Sequence, residues 1–350
     1  VAIAALVLAC HARASAQQTP AAPVAKGFDV AWSQELGSPG SVSIAVSASR
    51  VFVADTETGV AAHSAADGLL VWMEKLPSPL APVVAGDQVF IVSGGRVHAR
   101  DEATGREKWA RDLGEGAAAL AANGTGVLAA AGRVLRAWSA DGVPAWQREL
   151  QADVAPDLVA VDAGLAYVGL ANSTLTAIDV ATGEVRWHKR LATLPRAFAA
   201  GGGRLYFGGA DHALHAYSRG GGTPWKFRRV DTIGAPALDD RFVFVVLWDN
   251  TALAFDRGNG KRKWRTALPA RPARGPWVLG EELAVPLVSG AIVLLDRKTG
   301  VPQPAPKTEP TERPRDRLLA AAPSVTGHEV FEVLVLVNNS RLLVARRRIT

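Results

Sequence analysis

The chain has one cysteine in 350 residues, Cys10, and it lies in a leader ahead of the part expected to fold. No disulfide is therefore available to the folded part. Charge is also sparse: 21% of residues are charged against 48% hydrophobic, which excludes a disordered chain and permits a large core. No stretch longer than about a dozen residues keeps a helical hydrophobic period. Instead 34 glycines and 21 prolines punctuate the chain throughout, which points to many short strands and turns. Catalytic signatures are missing as well: no Gly-x-Ser-x-Gly, HExxH or Walker sequence occurs. His63, His98, His188, His212, His215 and His328 are scattered over the chain. In the one close pair, His212 and His215 lie three apart at the start of a strand, where their rings would face opposite sides and chelate poorly. Gly201-Gly202-Gly203 precedes a strand-like run, whereas a phosphate loop needs a helix. Trp248-Asp249-Asn250 reads as a turn between strands, with too few oxygen ligands for calcium. No catalytic, cofactor-binding or metal-binding residue, and no cofactor, is expected.

What is present begins with an export signal. Val1–Ala9 is apolar but too short to cross a bilayer core of ~30 Å. Ala14-Ser15-Ala16 supplies a small-residue cleavage site, giving a signal peptide over 1–16 and a Pro/Ala-rich leader over 17–27. A second reading stands beside it: Val7-Leu8-Ala9-Cys10 is similar to a lipoprotein box, with Cys10 acylated. Either way the protein is expected to be periplasmic or secreted, or anchored to the outer membrane if Cys10 carries lipid. The net charge of +6 gathers partly at 313–317 and at Arg346-Arg347-Arg348, which read as solvated charge in a loop and near a chain end. Export argues against nucleic acid as a partner.

The informative feature is a repeat. Glycine followed four residues later by tryptophan recurs at Gly68/Trp72, Gly105/Trp109, Gly142/Trp146, Gly183/Trp187, Gly221/Trp225 and Gly260/Trp264. The tryptophans are 37, 37, 41, 38 and 39 residues apart, and Gly300/Pro304 is a seventh copy that keeps the glycine and loses the ring. Ala-x-Asp or Ala-x-Ser precedes most of these glycines, as in Ala99/Asp101 and Ala137/Ser139. A period near 40 residues with strand-like content signals a propeller or solenoid. Short β-branched or aromatic runs count the units independently: Val51-Phe52-Val53, Val89-Phe90-Ile91, Val127-Leu128, Tyr167-Val168, Tyr206-Phe207, Phe242-Val243-Phe244, Leu283-Ala284-Val285 and Val330-Phe331.

These markers predict an all-β, eight-bladed β-propeller over 28–350, with four-stranded blades and seven blades as the fallback count. The eighth unit lacks a tryptophan-bearing strand, and Phe28-Asp29-Val30-Ala31-Trp32 can supply it, in step with the series. The N-terminal strand is thus expected to close the ring, which removes exposed sheet edges. In each blade glycine supplies positive φ for the turn before the outer strand. Trp32, Trp72, Trp109, Trp146, Trp187, Trp225 and Trp264 are expected to bury a ring against the neighbouring blade while the indole N–H finds an acceptor.

Ala177-Ile178-Asp179-Val180-Ala181-Thr182-Gly183-Glu184-Val185-Arg186-Trp187 resembles the pyrroloquinoline-quinone-like (PQQ-like) repeat, A-x-D-x-x-T-G-x-x-x-W. The repeat is specific for fold and weak for function. Two branches are similar to this chain. Quinoprotein dehydrogenases bind PQQ and calcium, but they typically carry adjacent cysteines and a longer chain, and neither is found here. The BamB family of exported propellers, which assists β-barrel assembly in the outer membrane, resembles the chain in length, export and ring closure. That resemblance implies a non-enzymatic scaffold that binds a protein partner of the cell envelope, such as a β-barrel assembly subunit, with a small-ligand or PQQ-binding propeller as the alternative. In that family two adjacent loops contact the partner through a Leu/Arg motif and an acidic motif. Their counterparts here are Leu194-Pro195-Arg196 and Asp231-Thr232, with shorter loops and the acidic motif reduced to one aspartate.

Overall fold

A computed structural model of the chain describes residues 29–35, 42–289, 291–303, 316–326, 329–338 and 341–348. The proposed leader, its cleavage site, Cys10 and His328 lie outside these residues, as does most of the Pro-rich stretch 301–314. The described residues form eight antiparallel sheets, seven of four strands and one of three. In chain order they are blade 1 (43–74), blade 2 (83–112), blade 3 (117–149), blade 4 (154–190), blade 5 (198–228), blade 6 (237–267), blade 7 (277–296) and blade 8 (316–348). Blade 8 takes its fourth strand, Asp29–Glu35, from the other end of the chain, paired with Arg341–Arg348.

Blade 2 shows the pattern: Val83–Ala85, Gln88–Ser93, Arg96–Asp101 and Glu107–Asp112 lie side by side in sequence order. The first strands of successive blades touch one another around the ring, and Asp316–Thr326 of blade 8 returns to Ser43–Val46 of blade 1. First strands are therefore innermost and tryptophan-bearing strands outermost. All eight aliphatic and aromatic runs fall on second strands. Those of blades 2, 4 and 6 are buried along their whole length because neighbouring blades cover both faces. The outermost strands alternate, as in Val185–Arg190, since one side meets water.

The tryptophans join blades. The indole N–H of Trp72 donates to Glu102 O of the next blade at 2.9 Å, Trp109 to Ala140 O at 2.8 Å and Trp264 to Arg297 O at 2.9 Å. Trp32, Trp146, Trp187 and Trp225 do the same. Each ring also lies under a glycine of that next blade. A Cβ on Gly142, which has φ +77°, would stand 2.5 Å from the Trp109 ring. Each repeat's glycine thus serves the preceding blade's tryptophan, and the apparent Gly-x-x-x-Trp unit is two contacts facing opposite neighbours. The alanine has a role too: Ala99, Ala137 and Ala177 lie in register opposite Trp109, Trp146 and Trp187, leaving room for the rings.

Blade 7 has three strands among the described residues: Trp277–Leu279, Glu282–Pro286 and Ile292–Asp296. Beyond them Pro302 bridges to Leu295 and the Gln303 N–H donates to Leu294 O at 2.8 Å, and residues 304–315 lie outside those described.

Candidate functional site

Successive antiparallel strands send their connections alternately to two faces. The turns between third and fourth strands form one face, together with those between first and second. The other face holds the loops linking one blade's last strand to the next blade's first, together with the turns between second and third strands. Leu194, Arg196 and Asp231 all fall on this loop face, in the connections 191–197 and 229–236 that flank blade 5.

Local packing fixes each of them. In 191–197 the Leu191 N–H donates to Ser173 O at 2.8 Å, and Pro195 is buried beneath half-buried Leu194 and exposed Arg196. In 229–236 Val230 is buried and its N–H reaches His212 O at 3.0 Å. Thr232 bridges to Leu247 of blade 6 and presses on Gly208, where a Cβ would overlap its hydroxyl at 1.8 Å. The Ile233 N–H donates to Val246 O at 2.8 Å, and the Trp248 N–H donates to Asp231 O at 3.1 Å. Asp231 is thus strapped between blades 5 and 6 with its carboxylate outward.

That carboxylate pairs with His212 Nδ1 in the second turn of blade 5. The hydrogen bond from Asp231 and its charge raise the His212 imidazole above its ordinary value. His212 sits in the turn at φ +54°, before the strand Ala213–Ser218 begins, so strand alternation does not separate it from His215 as the sequence had suggested. Each ring has its own aspartate. His215 Nε2 is 2.9 Å from Asp211 Oδ1, and its ring stacks on Phe207 at 5.0 Å. Partial burial pushes the Asp211 carboxyl up, but hydrogen bonds from His215 and Lys226 outweigh it and bring it down to about 2. Among the described residues no group of three or more His, Cys, Asp and Glu could hold a metal ion.

The structure brings Asp231 together with residues not anticipated as a site. Trp248 lies at the tip of a blade 6 turn and is 53% exposed. The Arg271 guanidinium stands over its ring at 5.5 Å, and Arg265 reaches Asp249 at 3.5 Å. Behind them the loops 229–236 and 268–276 meet backbone to backbone, since a Cβ on Gly234 would lie 2.4 Å from Gly275 N. Arg196 has no hydrogen bond or ion pair to Asp231 among the described residues; the two share a face and stand on successive loops. The signal for Trp248 was its position outside the tryptophan repeat: a tryptophan the ring does not need, at a turn, is free to present itself.

The channel offers less chemistry. Its innermost strands include Ser43-Ile44-Ala45-Val46, Val83-Val84-Ala85 and Phe198-Ala199-Ala200-Gly201, and the carboxylates on innermost strands whose side chains are described are Asp157 and Asp162. Asp162 already accepts a hydrogen bond from the Gly203 N–H at 2.6 Å. A quinone cofactor with calcium needs convergent charged groups, and the described residues do not fit one.

Comparison with known proteins follows the same lines. A family model described as outer membrane protein assembly factor BamB matches residues 26–135, 81–197 and 171–348. BamB of Yersinia pestis is 29% identical over 211 residues, covering 53% of each chain. BamB of Bordetella pertussis is 26% identical over 250 residues, covering 67% of this chain and 56% of its own length. The matched part thus spans little more than half the length of these curated relatives. The crystal structure of BamB from Moraxella catarrhalis superposes with a TM-score of 0.64 at 19% identity, covering 91% of this chain and 97% of that one. Quinohemoprotein alcohol dehydrogenase from Comamonas testosteroni superposes at 0.66 with 12% identity, covering 92% of this chain and 76% of that one. At such identities both likenesses show the fold alone.

Proposed function

The chain belongs to the BamB family of outer membrane protein assembly factors, and on that footing we propose that it is a non-enzymatic, exported scaffold in outer-membrane β-barrel assembly. It works in the periplasm, held at the outer membrane by lipid if Cys10 is acylated. It docks a protein partner on the loop face, through Leu194, Arg196 and Asp231 together with Trp248. The observation that carries this reading is the exposed Trp248 under Arg271, joined through its backbone to Asp231 on a rigid ring. Exposed aromatic and arginine side chains at a fixed spacing are the residue types that anchor protein interfaces.

The test is chemical cross-linking in the native cell envelope followed by capture of the full chain, with Arg196→Ala/Asp231→Ala in parallel. Recovery of a β-barrel assembly subunit by the native chain, and its loss in the double variant, is the expected outcome. Capture of no envelope protein by the native chain would overturn the scaffold reading. The quinoprotein alternative is checked by titration with PQQ and calcium, for which no spectral change is expected.

A further inference from the structure

On the face opposite the loops, the junction between blades 3 and 4 departs from the aromatic pairing of its neighbours and opens a cavity. In five blades a ring on the second strand packs against the tryptophan of the fourth: Phe52 on Trp72 (5.8 Å), Phe90 on Trp109 (5.8 Å), Tyr167 on Trp187 (6.0 Å), Tyr206 on Trp225 (5.8 Å) and Phe244 on Trp264 (5.9 Å). The register is constant, with an alanine between ring and tryptophan, as in Phe90–Ala99–Trp109. Blade 3 has Leu128–Ala137–Trp146 in the same register, so a branched aliphatic stands where the ring should be. Around it the neighbours are small: Ala121 is the cross-strand partner of Leu128 on the innermost strand. A cavity of about 640 Å³ results between blades 3 and 4, walled by Ala121, Val127, Leu128, Ala137, Val161 and Val180. That volume falls within the range of about 300–1,000 Å³ usual for small-molecule sites.

Most polar side chains around it are already engaged; the Trp138 indole N–H and the Arg219 guanidinium have no hydrogen-bond partner among the described residues. Asn123 Oδ1 caps its own turn, accepting from Thr125 N at 2.9 Å and Gly126 N at 3.1 Å. Ser139 Oγ accepts from Val143 N at 3.1 Å. The Asp179 carboxylate is neutralised by Arg186 at 2.7 Å. The Trp146 indole N–H is bound to Val180 O at 2.7 Å. Arg219 lends its carbonyl to Trp187, but no hydrogen bond or ion pair among the described residues holds its exposed guanidinium. Apolar walls and one unpaired cation at the mouth select a ligand with an apolar body and an anionic end.

We propose that the blade 3/4 cavity is a binding site for a small anionic amphiphile, its aryl or acyl body filling the space left by Leu128 and its anionic group on Arg219. The site is independent of the loop face and of any partner held there.

Anilinonaphthalene sulfonate and the neutral N-phenylnaphthylamine are suitable probes, titrated by fluorescence against the folded chain. One saturable site is expected for both. Leu128→Phe restores the ring of the other blades, and Ala145→Leu adds bulk at the exposed rim; each should weaken both probes about tenfold or more, as removal of the apolar volume requires. Arg219→Gln should weaken the sulfonate about tenfold and leave the neutral probe within about twofold. Thermal melting of each variant establishes that it is folded, and Ala145→Leu decides the matter should Leu128→Phe fail to fold. Absence of saturable binding to the native chain, or folded filled-in variants that bind like the native chain, would overturn the site. Equal loss of both probes in Arg219→Gln, or loss of neither, would overturn its preference for anions.

Discussion

The two faces of the ring are made from the same repeat and obey different rules. On the turn face the connections before the outer strands hold their glycine at φ between +70° and +78° in blades 1 to 7, each over the neighbouring tryptophan. Asp101, Asp179, Asp256 and Asp296 cap these turns by accepting backbone N–H groups, among them Thr104 N at 2.9 Å and Thr299 N at 2.8 Å. On the loop face the blade-to-blade connections run from the short 113–116 to the long 268–276, with no shared motif. The turn face carries the constraint that makes a ring: a changed residue there touches two blades. The loop face is rigidly supported but locally unconstrained, and there a chain can vary side chains without losing its fold. Function by protein contact is therefore sought on the loop face, and stability on the turn face.

The largest effect separating them is expected from Trp109→Ala, which removes a ring 7% exposed between blades 2 and 3. Truncation of a buried tryptophan costs about 3–5 kcal/mol. Chemical denaturation should show it, while partner capture by the remaining folded protein is unchanged. Next comes Gly142→Ala, which places a Cβ 2.5 Å from the Trp109 ring at φ +77°. A left-handed non-glycine residue alone costs about 1–2 kcal/mol, and the clash adds to it. In the double variant the clash disappears, so the two losses should fall short of additive by about 0.5–3 kcal/mol.

On the loop face the order reverses. Trp248→Ala should change stability by no more than about 0.5 kcal/mol, as is usual at exposed sites, and should abolish capture of the envelope partner. A large loss of stability there, with capture intact, would erase the distinction between the faces. A finer test is the titration of His212, followed by NMR. Because Asp231 raises its value, the pair contributes below the ordinary imidazole value of 6.5 and is lost as pH rises through the raised one. Asp231→Asn should return His212 toward its ordinary titration. The smallest effect expected is for Tyr167→Phe. The Tyr167 hydroxyl is buried without a partner, and burial pushes it up to about 12, so it stays neutral. Removing it should be neutral or stabilising by up to about 1 kcal/mol.

Much of the ring was legible in the sequence because closure repeats the same solution. Eight second-strand runs marked eight sheets, and Trp32 marked the strand that closes the ring. The pairing of glycine with the tryptophan of another blade was not legible, since spacing along the chain cannot tell a contact within a unit from two contacts outward. At blade 7 the repeat keeps Gly300 and puts Pro304 in the tryptophan position, so no ring marks an outer strand there. Leu194, Arg196 and Asp231 were found by resemblance, and the structure puts all three on one face. Trp248 escaped because a site on an irregular loop has no period, and its exposure depends on the loop beside it. The vacancy beside Leu128 was present in the sequence as a run, Val127-Leu128, with no ring, but only the register of three strands turns that into a cavity.

The most direct test of the division between faces is site-specific photo-cross-linking in the intact cell envelope. A photoreactive phenylalanine replaces Trp248 on the loop face or exposed Ala103 on the turn face, each in the full chain. The account predicts a defined adduct with a β-barrel assembly subunit from position 248, suppressed by Arg196→Ala/Asp231→Ala, and none from position 103. An adduct with that subunit from position 103 and none from position 248 would contradict it.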